Sequence, residues 1–245
     1  MEVHAHSHTA RKKWTHYFWE FLMLFLAVFC GFLAEYQLEH KIEKDRARQY
    51  VLSFYEDLKT DTAQLTRLLQ IDKNKVLVLE SVRNCYDTVM ANPVSGNCLL
   101  KVVHNSRSFI NFINTERTLQ QLKNAGGMRM LNKEDADSIY AYDNRLRRYM
   151  SFESDLLQER QTNLRNMYTE FLNYPDLITL QQGDTTLITD GSKLIFSATK
   201  PLLNKLFNQL AEYTRGIRTR INFLTGIHSA ADRMLNYFNS KYNLE

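Results

Sequence analysis

The run from Tyr17 to Ala34 constrains this chain more than any other part of its sequence, because Glu20 is the only charged residue among its eighteen. A helix of that length spans roughly 27 Å, enough to cross the hydrocarbon core of a bilayer. Aromatic residues, which mark membrane interfaces, lie at both ends of the run. They are Trp14, Tyr17, Trp19 and Tyr36. The sequence therefore predicts one transmembrane helix at 17–34, in contact with lipid.

Charges on the two sides of this run predict its orientation. The basic residues Arg11, Lys12 and Lys13 precede it directly, whereas Glu35 and Glu39 are the first charges after it. Cytoplasmic flanks carry the excess of Lys and Arg, so we expect the N-terminus inside the cell, although basic residues between 41 and 48 weaken the asymmetry. This orientation divides the chain into a cytoplasmic tail, a span and an extracytoplasmic region, at 1–16, 17–34 and 35–245.

The run is expected to remain in the mature chain as a signal anchor. Signal peptidase requires small residues before its cleavage site, and cleavage after Ala34 would place Phe32 at one of those positions. Glu20 lies near the basic flank, where it can reach the interface or pair with Lys13 or His16. We favour these explanations over a role in ion or proton movement.

Few residues interrupt helices in this chain, which has eight glycines and three prolines among 245 residues. Neither residue type occurs between Glu35 and Ala91, so a helix is predicted to continue from the span. Further periodic stretches predict helices at about 102–124, from Asn132 to Pro175, and from Pro201 onwards. We expect an all-α fold, an elongated antiparallel helical bundle behind the transmembrane helix. Between 177 and 196, a small β-hairpin and a loop with a helical turn fit equally well.

Apolar residues in the first long helix recur in alternating steps of four and three, a heptad pattern that includes Thr62, Asp72 and Arg83 as exceptions. Such a stripe must be buried, either within the chain or against a partner. We therefore treat it as a candidate interaction seam. Its members are Val51, Tyr55, Leu58, Leu65, Leu69, Val76 and Leu79.

The cysteines suggest one disulfide. Cys85 and Cys98 are close in sequence across the end of the long helix, and an oxidising compartment would allow them to bond. Closing a loop of that size stabilises a fold by about 3 kcal/mol in the chain-entropy model. The alternative is a pair of separate buried thiols.

The N-terminal tail carries alternating histidines, His4, His6 and His8, which can chelate a divalent ion such as Zn²⁺ or Ni²⁺. A structural zinc site requires a fixed tetrahedral ligand set, and no cysteine joins these histidines. Adventitious metal affinity is the favoured interpretation, and the metal site stays a candidate.

Signatures of catalysis and of nucleic-acid binding are missing from the sequence. It has no G-x-S-x-G, phosphate-binding glycine loop, H-E-x-x-H or Cys-x-x-Cys motif. The net charge of +4 is mild, and the basic residues are interleaved with acidic ones. We expect no enzyme activity, no cofactor and no nucleic-acid partner.

Two stretches, residues 8–35 and 118–144, resemble an uncharacterised family of single-pass helical membrane proteins of Bacteroidota. That family has a basic, histidine-bearing start, one span and a glycine turn before a helix. The matching residues of the turn and helix are Leu122, Lys123, Ala125, Gly126, Ile139 and Tyr142. The resemblance implies a bacterial inner-membrane protein with a periplasmic helical bundle, and it brings no activity or binding residues with it.

Three functions remain open at this point. The first is a membrane-anchored scaffold whose periplasmic bundle binds another protein or a second copy of itself. The second is a sensor or accessory subunit of a larger inner-membrane complex, which would signal sideways because its cytoplasmic tail is too short for an output domain. The third, an enzyme with an unrecognised site in the bundle, is the least favoured because no catalytic motif supports it.

Overall fold

The computed structural model describes four stretches of the chain, residues 14–91, 97–107, 109–171 and 199–244. Every regular element in these stretches is helical and none is a strand, which confirms the all-α prediction at this level. The range 177–196, where a hairpin or a loop was expected, lies outside the described residues. The chain divides into an N-terminal unit, Met1–Tyr50, and a C-terminal unit, Val51–Glu245.

The longest element is helix α1, Trp14–Ala91, which runs through the apolar stretch and beyond it without a break. Gly31 is its only glycine and it contains no proline, so each peptide group can join the helical hydrogen-bond ladder. The compact C-terminal unit begins at Val51. Residues 35–50, which the sequence assigned to the bundle, thus belong to the N-terminal unit.

Shorter helices follow, and two of them begin at side-chain caps. The Asn132 side chain accepts a hydrogen bond from the Asp135 N–H, as predicted, and Thr199 accepts one from Leu202. Each cap satisfies a backbone donor that the first helical turn leaves free. The helices are α2 (Asn97–Arg107), α3 (Arg117–Asn124), α4 (Lys133–Phe152), α5 (Gln158–Phe171) and α6 (Lys200–Tyr242), with a π-helical turn at Glu153–Leu157 between α4 and α5.

Within the C-terminal unit, α6 runs opposite to α1. The Tyr86 ring centroid lies 4.9 Å from that of Phe207, and the Phe54 centroid lies 6.4 Å from that of Phe238. Partners that come earlier in α1 therefore contact residues that come later in α6. Both sets of rings lie in the apolar interior, and edge-to-face contacts of this kind add to the stabilisation from burial.

The segment formed by α4, the π-turn and α5 also runs opposite to α6. A salt bridge of 2.8 Å joins Asp135 to Lys241 at one end, and one of 3.9 Å joins Glu170 to Lys205 at the other. Residues 97–124 return along α1, because Cys98 lies beside Cys85 whereas the Thr118 N–H donates to Asp57. Four segments of the C-terminal unit thus pack side by side, each opposite in direction to the one before it.

Residues 109–116 form no helix, which corrects the prediction of one helix over 102–124. Side chains of α1 provide the hydrogen-bond acceptors that a helix would have provided. The Ile113 N–H donates to Gln64 at 3.2 Å, and the Thr115 N–H donates to Asp61 at 2.8 Å. These acceptors satisfy two of the backbone donors that the missing helical turns leave without a partner.

The π-turn shifts the buried face of the helical segment that contains it. Regular spacing from Leu146 and Tyr149 would place Leu156 on the inner face, but Leu156 is exposed and its neighbour Leu157 is fully buried. A π-turn adds one residue to the helical repeat, so each later buried position comes one residue further along the sequence than a regular helix would place it. Leu157 approaches α6 at Gly216, where an added Cβ atom would lie 2.9 Å from the Leu157 Cδ1 atom.

Replacement of the two glycines of α6 by alanine should therefore change the free energy of unfolding in opposite directions. At Gly226 an added Cβ meets nothing within 4 Å. We expect Gly226→Ala to raise the free energy of unfolding by about 0.5–1 kcal/mol, since alanine favours helix. Gly216→Ala should lose that gain to overpacking against Leu157, which costs about 1–3 kcal/mol.

Urea unfolding of the full chain in detergent micelles, followed by far-UV circular dichroism, measures both changes. The two variants are matched controls for each other, because they make the same substitution in the same helix. Equal stabilisation by both would contradict the close approach at Gly216.

Candidate functional site

The N-terminal unit presents an apolar surface that the described chain leaves uncovered. Its first residues form the one described helical stretch long and apolar enough to cross a membrane, and that whole window is exposed. The interface residues predicted from the sequence are exposed on the same helix: Trp14, Tyr17, Trp19 and Tyr36. Stacked rings continue along it, with Phe25 between Phe21 and Phe29 at centroid distances of 6.2 and 5.8 Å.

Polar side chains near the start of this surface lie as the sequence suggested. The His16 Nε2 atom is 3.2 Å from a Glu20 carboxylate oxygen, one helical turn away. This contact is one of the pairings expected for Glu20. The other predicted residues of this flank, namely the basic residues Arg11, Lys12 and Lys13 and the candidate metal ligands His4, His6 and His8, lie outside the described residues. Within the described stretches, no three His, Cys, Asp or Glu side chains are grouped as metal ligands would be.

The two cysteines that the sequence paired meet at the junction of α1 and α2. Cys85 and Cys98 form a disulfide, with their Cα atoms 5.8 Å apart. Cys85 is buried in the apolar core, near Val82 and Val89. The bond links the last turns of α1 to the first turn of α2, so it holds the chain where its direction reverses.

The heptad stripe of α1 is covered largely by the chain itself. Val51, Tyr55, Leu58, Leu65 and Leu79 are buried in the C-terminal unit, whereas Leu69 and Val76 are half-buried. The core of the C-terminal unit therefore takes up most of the apolar area that a partner could have covered. Any protein partner must use a different surface.

A buried ion network surrounds Arg220 of α6, whose side chain is only 1% exposed. Its Nη1 donates to Asp72 of α1 at 3.2 Å, and its Nε donates to the Tyr149 hydroxyl of α4 at 3.1 Å. Its Nη2 donates to the Ile110 carbonyl at 2.5 Å, and the guanidinium carbon lies 4.4 Å from the Phe109 ring centroid. One side chain thus connects all four segments of the bundle.

The π-turn provides a second acid to this network. Glu153 accepts a hydrogen bond from the Tyr149 hydroxyl and lies 3.5 Å from the Arg220 Nε. It lies four residues after Tyr149, one turn further along the same inner face, at the residue where the π-turn begins. Single π-turns within α-helices frequently occur at functional sites, which makes this cluster the natural place to look for chemistry.

Burial dominates the electrostatics of the network. It raises the pKa of Asp72 above its usual range, although the nearby Arg220 and Lys75 oppose the increase. It also raises the pKa of Glu153, against the effect of the Tyr149 hydrogen bond and the Arg220 charge. Burial lowers the pKa of Lys75 to about 8, even though Asp72 favours its charged form. These shifts follow from removing charged groups from water.

The arrangement holds the helices together, and its charged groups are enclosed by the described chain. Arg220 and Asp72 are each 1% exposed, and the guanidinium is occupied by partners from within the chain. Removal of one partner from a buried pair of this kind is strongly destabilising, because the other charge is left uncompensated. A signal for this cluster was present in the sequence, because Asp72 and Arg220 interrupt otherwise apolar stripes.

A second polar cluster joins the start of α4 to the end of α6. Asp135 accepts hydrogen bonds from Lys241 at 2.8 Å, from Tyr237 at 2.7 Å and from Tyr242 at 2.5 Å. Burial would raise the pKa of Asp135, but these donors together lower it below its usual range. This carboxylate therefore stabilises the fold at neutral pH, and the contribution is lost as the pH falls through its folded pKa.

Removing the Arg220 charge should destabilise the fold strongly and in a pH-dependent way. We expect Arg220→Met to cost about 3–5 kcal/mol at about pH 7, because Asp72 and Glu153 lose their shared cation. Without the Arg220 charge, the raised pKa values of Asp72 and Glu153 rise further. As the pH falls, these two carboxyls are therefore protonated in the folded variant before they are in the unfolded chain, which favours the folded state. The deficit should therefore shrink between about pH 7 and about pH 5.

Urea unfolding at the two pH values measures this difference. Arg215→Met is the matched control, because Arg215 lies in the same helix, is 73% exposed and, among the described residues, pairs only with Glu212 of its own helix. It should change the free energy of unfolding by less than about 1 kcal/mol. A deficit for Arg220→Met that is small, or that grows as the pH falls, would contradict the assignment of charges.

The comparisons add no relative to this picture. No family model, no curated protein and no solved structure matches the chain. The resemblance noted in the sequence stays a prediction. Of the residues that carry this resemblance, Leu122 is buried in α3, and Ile139 and Tyr142 are buried in α4. Gly126 has a positive φ of 69° and lies just after α3. The conclusions supported by the structure are an all-α chain and one helical stretch suited to a membrane.

Proposed function

We propose that this chain is a single-pass protein of the bacterial inner membrane whose extracytoplasmic bundle binds another protein or a second copy of itself, without catalytic activity. The observation that carries the proposal is the uncovered apolar surface of α1. Phe21, Leu24 and Phe32 are 66%, 70% and 71% exposed. A contiguous apolar surface of this length is costly in water, and lipid is the solvent that suits it.

The orientation in this proposal has two supports. Basic residues precede the span and acidic ones follow it, which favours an N-terminus in the cytoplasm. The Cys85–Cys98 disulfide belongs to the region after the span. Disulfides persist in oxidising compartments such as the periplasm and are rare in the cytosol, so the bond supports an extracytoplasmic bundle.

A binding role, as opposed to a catalytic one, is supported by where the perturbed groups lie. Asp72, Glu153 and Lys75 have shifted pKa values, yet all three are buried at the centre of the helices. Catalytic groups need contact with a substrate, and they are found in clefts. These residues are better explained as internal connections of a scaffold.

Thiol labelling of intact cells tests the orientation. In a Cys30→Ala background, Cys85 and Cys98 should react with a membrane-impermeant maleimide only after reduction and denaturation. Each of Cys85→Ser and Cys98→Ser should free the thiol of its former partner. If both thiols are already reduced in the parent chain, and are protected from the reagent until lysis, the bundle faces the cytoplasm and the proposed orientation is wrong.

Photo-crosslinking in cells tests the binding role. Ile113, in the segment between α2 and α3, is an apolar side chain 73% exposed to solvent, so a photoreactive amino acid there should contact whatever covers this face. We expect a protein adduct, and a control position at exposed Asn84 of α1 should give less of it. An adduct with a different membrane protein favours an accessory subunit, and an adduct with a second copy favours a self-associating scaffold. The absence of any protein adduct would contradict the proposal.

A further inference from the structure

A groove between α4 and α6 combines an apolar floor with arginines along its rim. One part, with a volume of about 260 Å³, has Arg145 and Arg148 above Phe223 and Ile227. The adjoining part, about 320 Å³, shares Arg145 and adds Arg233 above Met234. We call this surface the arginine groove. Along α6, from Phe223 to Met234, it extends for about 16 Å, which matches roughly five residues of extended chain.

The charge of the arginine groove is not neutralised by the described chain. Arg145, Arg148 and Arg233 are exposed, and no carboxylate lines either part. Two acids of the same helices are engaged elsewhere, since Asp143 pairs with Arg147 and Lys123 while Asp232 lies 2.8 Å from the His228 ring. Within the described stretches, none of the three arginines has an ion-pair partner.

A larger cavity between α1 and α6 differs from the arginine groove in its charge. Its volume is about 720 Å³, and its arginines lie among acids. Arg218 pairs with Glu80, and Arg215 lies 3.5 Å from Glu212. That cavity is nearly neutral, whereas the arginine groove carries three positive charges above apolar side chains. The difference in charge favours a negatively charged occupant for the groove.

We propose that the arginine groove binds an acidic peptide segment of a protein partner, with an apolar side chain on the floor and carboxylates on the rim. Guanidinium groups hold carboxylates through paired hydrogen bonds, and arginines beside apolar pockets are typical of energetically dominant interface residues. Gly226 leaves room for the apolar side chain, because nothing lies within 4 Å of its missing Cβ atom. This inference rests on the proposed protein-binding function and names the chemistry of the partner.

Fluorescence anisotropy tests the proposal with the full chain in nanodiscs of zwitterionic phosphatidylcholine. The probe is a short dye-labelled peptide in which glutamates flank two leucines. We expect saturable binding that weakens with added salt, and at least about tenfold weaker binding of the same peptide with glutamine in place of glutamate. No saturable binding, or equal binding of the glutamine peptide, would overturn the proposal.

A charge-matched pair of triple variants locates the binding. Arg145→Glu, Arg148→Glu and Arg233→Glu together should weaken binding by at least about tenfold. The control combines Arg67→Glu, Lys73→Glu and Lys133→Glu, which are also exposed and change the net charge equally. It should stay within about twofold of the parent chain. Equal losses in both triple variants would show that only net charge attracts the peptide.

An uncharged variant tests the floor of the groove. Gly226→Leu fills the space at that position, leaves the net charge unchanged and favours helix. It should weaken binding of the peptide by at least about tenfold while the far-UV spectrum is retained. If Gly226→Leu binds the peptide as tightly as the parent chain does, the apolar floor is not part of the binding site and the proposal is overturned.

Competing anions test the choice of a peptide. If the parent chain binds polyphosphate or anionic vesicles more tightly than the peptide, the proposal of a peptide ligand is overturned.

Failure of this inference can be told apart from failure of the proposed function. Suppose that the Ile113 photo-crosslink forms equally in the parent chain and in the triple variant of Arg145, Arg148 and Arg233, and that the peptide does not bind. The groove proposal is then wrong, and the proposed protein-binding role remains. If the peptide binds in the groove but no protein adduct forms in cells, the groove chemistry stands and the proposed function falls.

Discussion

The buried guanidinium of Arg220 is the interaction on which the C-terminal unit depends most. Removing a charged side chain from water is expensive, and the cost is offset only when its N–H groups all find acceptors in good geometry. Here the acceptors come from different segments: Asp72, Tyr149 and the Ile110 carbonyl. Apolar stripes can slide past one another at little cost, but this set of contacts exists in one register only. The charge therefore specifies which turns of the helices face each other.

Other polar contacts extend the same principle along α1. Residues 109–116 lie between α2 and α3 without helical hydrogen bonds of their own, and Asp61 and Gln64 accept from them. Burial raises the pKa of Asp61, while the Thr115 backbone and the Tyr142 hydroxyl oppose that increase by donating to it. The side chains of a long regular helix thus provide the acceptors for an irregular neighbour, and this explains why α1 buries Asp61 beside its apolar stripe.

Some parts of this architecture can be predicted from the sequence because they depend on local chemistry. The absence of proline predicts the long α1, and Asn132 marks the start of α4 through its own side chain. The break at 109–116 and the π-turn could not be predicted, since both depend on partners distant in the chain. Arg220 is intermediate, because its place in an apolar stripe is visible from spacing, whereas the segments that it joins become visible only in three dimensions.

The extra residue in the π-turn makes this segment tolerant of one change in chain length. Leu157 comes one position later than the spacing of a regular helix would place it after Tyr149 and Glu153, and the wider turn absorbs the additional residue. Leu164 and Tyr168 therefore stay buried beyond it. Loss of one residue inside the π-turn would restore a regular helix with both halves still facing the core. The same loss within the regular part of α4 would turn the following face by about 100°, so related chains that keep this core should vary in length at the π-turn before they vary elsewhere in the segment.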